Sequence, residues 1–309
     1  MLQNGKKTIF PYECSNLLLG RGGSGAVFLA RDIESKAYVA VKRTYNKPKP
    51  GCGEPQIQLE PSQLPLFSRK QSNSLEDMAS FTNGAHFNLF SANNQAASSV
   101  QPEEWEILEH IGFHPHIVSC LGHHTSTRNV TYFAMELMNS DAAREVTKGN
   151  EYIKQEQVYS GIAFSILEAL AFIHDKGIVH GDIKPGNILF KSVSREKIGS
   201  KAVILHEEAD NSFTKTYLGD FSVSRFVNVT ASTGARGTLY YKPPEQLLGG
   251  QIRNSTACDM WSFGCALLEI VMGALTFSGD NEFQVCMNIL SSLGVVLKTT
   301  LCKIRIIRS

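Results

Sequence analysis

The hydrophobic period of this chain changes along its length, from that of strands to that of helices. Residues 15–43 contain three short runs that favour strands, two of them on either side of a glycine-rich turn. Residues 152–174 and 258–272 instead carry apolar side chains at helical spacing. Because strands precede helices, the sequence predicts an α+β protein with two unlike lobes. The first is a small antiparallel β lobe with one helix, and the second is larger and mostly helical.

The predicted boundaries divide the 309 residues into four parts. Residues 1–14 are an N-terminal extension, 15–138 the small lobe, 139–290 the large lobe and 291–309 a divergent tail. Inside the small lobe, residues 44–101 are rich in Pro, Ser, Asn, Gln and Gly and lack a helical or strand period. Such a segment buries too little apolar surface to offset the entropy of ordering it, so we predict a disordered insertion. A helix from Pro102 to about Ile111 and strands at 116–121 and 130–138 follow it.

Charge and cysteine patterns narrow the partners and the compartment. The chain has 30 basic and 29 acidic residues, so a net charge of +1 gives no electrostatic case for nucleic acid or an acidic membrane as partner. No apolar run approaches the roughly 18 residues of a membrane span, and residues 1–10 lack the apolar core of a signal peptide. The seven cysteines show no C-x-x-C pair or zinc spacing. Reduced thiols indicate a cytoplasmic and/or nuclear location.

A glycine-rich turn at residues 20–27 matches G-x-G-x-x-G-x-V. The match alone is weak, because dinucleotide-binding folds share its first six positions. The residues after Gly25 favour a strand, however, whereas a dinucleotide-binding oxidoreductase needs a helix there. The chain also lacks the G-x-x-x-x-G-K-[ST] of P-loop NTPases. A glycine hairpin lets backbone N–H groups approach phosphates without interference from Cβ atoms, and Lys42, at the end of the third strand, is then a candidate for binding phosphates.

The strongest segment is His-Gly-Asp-Ile-Lys-Pro-Gly-Asn-Ile-Leu at residues 180–189. It places an acid, a base and an amide within six positions. Asp182 can accept the proton of a substrate hydroxyl, Lys184 can neutralise a moving phosphoryl group, and Asn187 can hold a metal ion. Asp220, which opens a later Asp-Phe-Ser, is the second candidate metal ligand.

Taken together, these motifs resemble the eukaryotic protein kinase family, whose signature comprises the glycine loop, V-A-I-K, H-R-D-x-x-x-x-N, D-F-G and A-P-E. The resemblance covers about residues 15–290. It implies a protein kinase that uses ATP and Mg²⁺. Lys184 and the pair Gly237-Thr238 point to serine/threonine rather than tyrosine substrates. Residues 241–249 and 277–283 look most like the CMGC group, although Lys242 stands where that group has arginine.

The resemblance also implies a role for each site position. The catalytic residues are Asp182, Lys184 and Asn187, and Asn187 and Asp220 are the metal ligands. Lys42 requires a glutamate on the predicted helix, for which Glu104 is favoured and Glu103 is the rival. Val27, Ala40 and Leu189 contact adenine, Met135 is the gatekeeper, and Glu136 and Met138 lie in the hinge. The full set of nucleotide-binding positions is Gly20, Arg21, Gly22, Gly23, Ser24, Gly25, Val27, Ala40, Lys42, Glu104, Met135, Glu136, Met138 and Leu189.

Gly181 replaces the arginine that normally precedes the catalytic aspartate and pairs with a phosphate on the activation loop. Activity is therefore expected not to depend on phosphorylation of that loop, with Arg225 and Arg236 as substitute cations. The loop's candidate phosphorylation sites are Thr230, Ser232 and Thr233. Ser222 replaces the glycine of D-F-G and is interpreted as a tolerated small residue.

The C-terminal residues 297–309 have no kinase likeness, so we expect a C-terminal truncation relative to the family. The family's terminal helices supply an arginine that pairs with the glutamate matching Glu245, and Arg305 and Arg308 are imperfect candidates for it. A buried Glu245 without a partner would cost about 3–5 kcal/mol.

These departures leave a second interpretation open, in which a pseudokinase or truncated kinase acts as a non-catalytic decoy. The presence of every expected polar residue favours the enzyme, and the missing helices favour the decoy. Insertion 44–101 is interpreted either as a docking segment for a regulatory partner or as a tolerated surface loop.

Overall fold

The computed structural model describes residues 11–45, 68–69, 102–126, 130–191, 215–227, 237–248 and 255–294. The chain divides into two compact units. The first consists of Met1–His114 with Val118–Leu137, and the second of Pro115–Ile117 with Met138–Ser309.

The first unit contains a six-stranded antiparallel sheet. Its strands are β1 (Tyr12–Gly22), β2 (Gly25–Asp32), β3 (Tyr38–Tyr45), β4 (Ser68–Arg69), β5 (Cys120–Thr125) and β6 (Val130–Glu136), in the order β1-β2-β3-β6-β5-β4. One helix, α1 (Glu104–Ile111), packs against β5, where the rings of Trp105 and His123 stack with centroids 3.7 Å apart. The described part of this unit therefore has the predicted composition of an antiparallel sheet with one helix.

The position of each strand in the sheet explains its composition. β3 and β6 are the middle strands and are buried on both faces, which requires apolar runs such as Val39 to Val41 and residues 130–135. β1 lies at the edge, and its Leu17 and Leu18 are exposed. Phe133 of β6 and Ile107 of α1 are both fully buried, each 1% exposed.

The second unit is mostly helical. Its helices are α2 (Ala142–Thr147), α3 (Glu156–Asp175), α4 (Pro244–Leu247), α5 (Thr256–Met272) and α6 (Glu282–Ser292), with 3₁₀ turns at Glu151–Lys154, Pro185–Asn187 and Leu239–Tyr241. Its short strands are β7 (Ser140–Asp141), β8 (Ile178–Val179), β9 (Ile188–Lys191), β10 (Lys215–Leu218) and β11 (Arg225–Phe226). They form a three-stranded sheet, β10-β9-β7, and a two-stranded sheet, β11-β8.

Helices α3 and α5 pack together and form the centre of the second unit. One face of α3 is buried at helical spacing, and its buried side chains are Ile162, Ser165, Ile166, Ala169, Leu170 and Ile173. The Ser255 side chain caps the start of α5 by accepting from the Ala257 N–H, and Gly273 ends the helix with a φ of 74°, which favours glycine. The two apolar runs at 152–174 and 258–272 are thus core helices.

Helix α3 also meets the length and hydropathy criteria of a membrane span, with a mean hydropathy of 1.3 over 18 residues. The expectation that no apolar run comes near that length therefore fails on composition. A core helix passes the same test, and a third of this window is buried inside the protein, so the observation is weak evidence for a membrane.

The predicted α+β fold is confirmed, and three local expectations change. The strand predicted at 116–121 begins only at Cys120, because the His116 carbonyl instead accepts from the Leu218 N–H in the second unit. β1 begins at Tyr12, which pairs with Asp32, rather than at residue 15. Most of the expected insertion 44–101 lies outside the described residues, but residues 44–45 complete β3, and β4 pairs with β5.

Replacing Ile166 with alanine should reduce the free energy of unfolding by about 2–5 kcal/mol, because the side chain is 0% exposed and the space it leaves cannot collapse fully. Urea denaturation followed by circular dichroism measures this change. The neighbouring Leu167 is 41% exposed, so Leu167→Ala is the matched control and should cost less than about 1 kcal/mol. Equal losses in the two variants would contradict the assignment of the buried face of α3.

Candidate active site

The loop that precedes β9 is fixed by a buried carboxylate from α5. Asp259 accepts the backbone N–H of His180 through Oδ2 and that of Gly181 through Oδ1, both at 2.8 Å. Its Oδ2 also lies 2.9 Å from Nε2 of His174 at the end of α3. Accepting two consecutive N–H groups requires the chain to turn sharply, and Gly181 does so with a φ of 81°. The first turn of α5 thus sets the direction of the loop.

His180 connects this loop to the segment before Asp220. Its Nε2 donates to the Gly219 carbonyl at 3.0 Å, which leaves Nδ1 to accept the Asp182 N–H at 3.3 Å. The ring of Phe221 packs edge-on against His180 with centroids 4.7 Å apart. One neutral imidazole therefore positions the residues next to both aspartates of the site.

The Asp182 carboxylate is held on both oxygens. Oδ1 accepts from the Thr238 N–H at 2.8 Å and from the Thr238 hydroxyl at 2.7 Å. Oδ2 lies 2.6 Å from the Lys184 ammonium, which also donates to the Thr238 hydroxyl at 3.0 Å. Thr238 thus bridges the acid and the base.

Residues 238–242, which hold Thr238, are anchored to α5 and α6. The Tyr241 hydroxyl donates to Glu269 at 2.7 Å, and burial, reinforced by this hydrogen bond, raises the pKa of Tyr241. Ser262 donates to the Tyr241 carbonyl, and the buried Lys242 ammonium lies 3.1 Å from Glu282. The position of Thr238 relative to Asp182 therefore depends on the helical core.

Asn187 and Asp220 have the chemistry expected of metal ligands. The Asn187 amide N–H donates to the Asp182 carbonyl at 2.7 Å, and within the described residues its amide oxygen accepts no hydrogen bond. Asp220 has a φ of 60°, which is uncommon for a residue other than glycine and typical of functional sites. The described residues contain no group of three or more His, Cys, Asp or Glu that could hold a metal. Two oxygen ligands fit Mg²⁺, which keeps water and phosphate ligands.

In the first unit, Lys42 on β3 forms a buried ion pair with Glu104, the first residue of α1. The Lys42 ammonium lies 2.7 Å from the Glu104 carboxylate, and the two side chains are 6% and 5% exposed. Glu103 instead caps α1, where its N–H donates to Glu106 at 2.8 Å. Burial and the neighbouring Glu106 raise the pKa of Glu103. The geometry therefore favours Glu104 over Glu103 as the partner of Lys42.

The glycines of the β1–β2 turn are of two kinds. A Cβ atom at Gly25 would lie 2.3 Å from the Arg43 carbonyl oxygen, and Gly25 has a φ of 147°, so the fold itself requires glycine there. At Gly20, Gly22 and Gly23 a Cβ atom would meet no atom of the described residues within 4 Å. Packing inside the chain does not explain these three glycines, which fits the close approach of a phosphate group to the backbone.

The other expected nucleotide-binding positions are described separately for each unit. The register of the sheet places Val27 opposite Lys42 and Ala40 opposite Met135. Arg21 and Ser24 lie in or next to the glycine turn, and Glu136 is the last residue of β6. In the second unit, Leu189 lies on β9, and Met138 lies two residues before the start of β7.

Two expectations about charged side chains have different outcomes. Glu245 was expected to be buried without a partner, but it is exposed and accepts from the Cys258 thiol at 3.8 Å, so the predicted penalty does not arise. Arg225 lies in β11, where its backbone pairs with Val179. The other residues named in these expectations, Thr230, Ser232, Thr233, Arg236, Arg305 and Arg308, lie outside the described residues.

The sequence interpretation did not assign a role to Asp259. An acidic residue on the first turn of a buried helix is unusual, because a desolvated carboxylate needs several donors. An aspartate inside the apolar run 258–272 was therefore the signal that the sequence offered. Its hydrogen-bond partners at residues 180 and 181 could be identified only from the structure.

Comparison with known proteins decides the family. The sequence model of the protein kinase domain family matches residues 82–305, which is more than two thirds of the chain. This chain belongs to the protein kinase domain family. The match begins after β3, so the glycine turn and Lys42 lie outside it and are assigned by their resemblance to the family signature.

Two curated kinases are similar to this chain. Cyclin-dependent kinase B2-1 of Arabidopsis thaliana is 27% identical over 65% of the chain and 60% of its own length. Probable myosin light chain kinase DDB_G0284661 of Dictyostelium discoideum is 30% identical over 56% of the chain and 31% of its own length. The chain thus spans less than two thirds of either relative.

Replacing Asp259 with asparagine should reduce the free energy of unfolding by about 3 kcal/mol, because one amide N–H₂ would face a backbone donor and the remaining bonds would lose their charge. Urea denaturation measures this loss. The exposed Asp280 is the matched control, and Asp280→Asn should stay within about 0.5 kcal/mol of the wild type. A loss below about 1 kcal/mol in Asp259→Asn would contradict the role of this carboxylate.

Proposed function

We propose that this chain is a serine/threonine protein kinase that transfers the γ-phosphoryl group of ATP to a hydroxyl of a protein substrate. The observation that carries the proposal is the set of hydrogen bonds among Asp182, Lys184 and Thr238. A carboxylate oriented on both oxygens beside an ammonium group is what acceptance of a hydroxyl proton and neutralisation of a phosphoryl group require.

In the proposed reaction Asp182 orients the substrate hydroxyl and accepts its proton as the oxygen attacks the γ-phosphorus. Lys184 compensates the charge on the transferred group, and Lys42, kept in place by Glu104, binds the α- and β-phosphates. Asn187 and Asp220 would hold Mg²⁺, which neutralises phosphate charge and aligns the nucleotide when bound. Gly20, Gly22 and Gly23 would let backbone N–H groups contact the phosphates.

The preference for serine and threonine rests on Lys184 and its bond to Thr238. Of the two relatives, one is named as a cyclin-dependent kinase and the other as a probable myosin light chain kinase. The CMGC-like assignment is supported by residues 241–249 and 277–283 and by the first of these names, although Lys242 differs from the arginine of that group.

The compartment and the regulatory partner are also part of the proposal. The five described cysteines, Cys14, Cys120, Cys258, Cys265 and Cys286, are free thiols, and burial raises the pKa of Cys14 and of Cys265 to about 11. Such thiols are unreactive at neutral pH, which suits the proposed cytoplasmic and/or nuclear location. A regulatory protein that binds insertion 44–101 is the proposed partner, and we propose no nucleic acid or membrane as a partner.

The decisive experiment is transfer of ³²P from ATP to a generic basic protein in the presence of Mg²⁺, followed by phosphoamino acid analysis. Wild type should label serine or threonine, and Asp182→Asn should be at least about 100-fold slower, because the general base is lost. Chelating Mg²⁺ should abolish transfer. Asp280→Asn should match the wild type, since its side chain is exposed. Equal signals from wild type and Asp182→Asn would favour the non-catalytic decoy, and labelled tyrosine would overturn the serine/threonine assignment.

Activity should not depend on phosphorylation of residues 228–236, since Gly181 offers no cation for a phosphate. The triple variant Thr230→Ala, Ser232→Ala and Thr233→Ala should therefore keep kcat within about twofold of the wild type. Steady-state kinetics on phosphatase-treated protein checks this expectation. A loss of tenfold or more would show that a phosphate in this segment contributes after all.

A further inference from the structure

Strand β11, which follows Asp220, pairs with β8, the strand that precedes residues 180–187. Residues 180–187 are called the catalytic loop below. Arg225 lies opposite Val179, and Phe226 lies opposite Ile178. The Val227 N–H extends this pairing by donating to the Gly177 carbonyl at 2.8 Å. The pairing ends at Val179, because the chain then turns at Gly181. The His180 carbonyl is therefore left without a strand partner, in a position that is fully buried.

The Ser224 side chain supplies the missing donor. Its hydroxyl donates to the His180 carbonyl at 3.0 Å, and the residue is 1% exposed. Its backbone N–H donates to the Phe221 carbonyl at 3.1 Å, which folds residues 221–224 into a turn and aims the hydroxyl at the loop. A buried carbonyl without a donor is costly, so this hydroxyl is required where it lies.

Gly181, next to this contact, has a backbone conformation that favours glycine. Its φ is 81°, and a Cβ atom there would lie 3.5 Å from the Val223 carbonyl oxygen. On its other side, a Cβ atom at Gly237 would lie 2.5 Å from the Gly181 carbonyl oxygen. At residue 181 the loop therefore approaches Val223 and Gly237 through backbone atoms, and the Ser224 hydroxyl adds one buried hydrogen bond, with no cation at residue 181.

We propose that Ser224 is a positioning residue that holds the segment after Asp220 against the catalytic loop without a phosphate. The proposal rests on the proposed kinase function. Ser224 acts through His180, whose imidazole accepts the Asp182 N–H and donates to the Gly219 carbonyl. A single neutral hydrogen bond therefore does here what a charged arginine–phosphate pair does in kinases that carry the arginine.

The second unit offers a matched control for this contact. Ser165 in α3 is also a buried serine, 9% exposed, whose hydroxyl donates to a backbone carbonyl, that of Gly161 at 2.9 Å. Gly161 lies in α3, and among the hydrogen bonds of the described residues it makes none to the loop at 180–187. Ser165→Ala therefore removes the same chemistry without affecting His180.

The test compares Ser224→Ala and Ser165→Ala after phosphatase treatment. Ser224→Ala should lower kcat about tenfold and leave the KM for ATP within twofold, because the loss of one buried bond disturbs the loop and not the nucleotide contacts. Ser165→Ala should leave both constants within twofold. Amide hydrogen exchange of residues 180–182 should become at least tenfold faster in Ser224→Ala alone.

Each outcome decides the proposal. Similar kcat values in the two variants, or unchanged exchange at residues 180–182 in Ser224→Ala, would overturn it. A parallel rise of the KM for ATP would also overturn it, since general loosening of the protein would then explain the loss. If the wild type transfers no phosphate, the kinase function fails, and the exchange measurement alone decides whether Ser224 positions the loop.

Discussion

The desolvated carboxylate of Asp259 is the charge on which the geometry of the candidate site depends. It lies on the first turn of α5 and accepts two consecutive backbone N–H groups of the loop, so it must stay in place for the loop to keep its turn. Helix α5 packs on α3 at the centre of the second unit. The rigidity of this core therefore extends to Asp182, which directly follows the two residues bound by Asp259. Asp182 lies in a loop but is thereby positioned as precisely as a residue on a helix.

Around Asp182 the charges are balanced within a few ångströms. Lys184 offsets the carboxylate, and Thr238 both donates to one and accepts from the other, so the three side chains form a closed set. Because the Thr238 backbone also donates to Asp182, any shift of residues 238–242 changes the orientation of the carboxylate. The bonds of Tyr241 and Lys242 to Glu269 and Glu282 keep this segment in place. The chemistry thus depends on contacts between segments far apart in the sequence.

How far the sequence reaches can be seen from particular residues. Asp182, Lys184 and Asn187 could be singled out from their spacing within one short loop, and Glu104 from the glutamate that the resemblance requires on the predicted helix. The strand predicted at 116–121 was displaced by the contact of His116 with Leu218, which no local pattern contains. Asp259 and Ser224 had no assigned role, since their partner His180 lies 79 and 44 positions away in the sequence. Local chemistry was predictable, and long-range support was not.

The two kinds of glycine in the β1–β2 turn bear on how such a chain can diverge. Gly25 is fixed by the Arg43 carbonyl, whereas in the part of the chain that the structure describes no atom would contact a Cβ atom at Gly20, Gly22 or Gly23. If a descendant lost nucleotide binding, selection would no longer keep glycine at positions 20, 22 and 23. Gly25 would still be required, because the sheet cannot form with a side chain there. A related sequence with other residues at these three positions but glycine at position 25 would therefore be expected to keep the fold without binding a nucleotide.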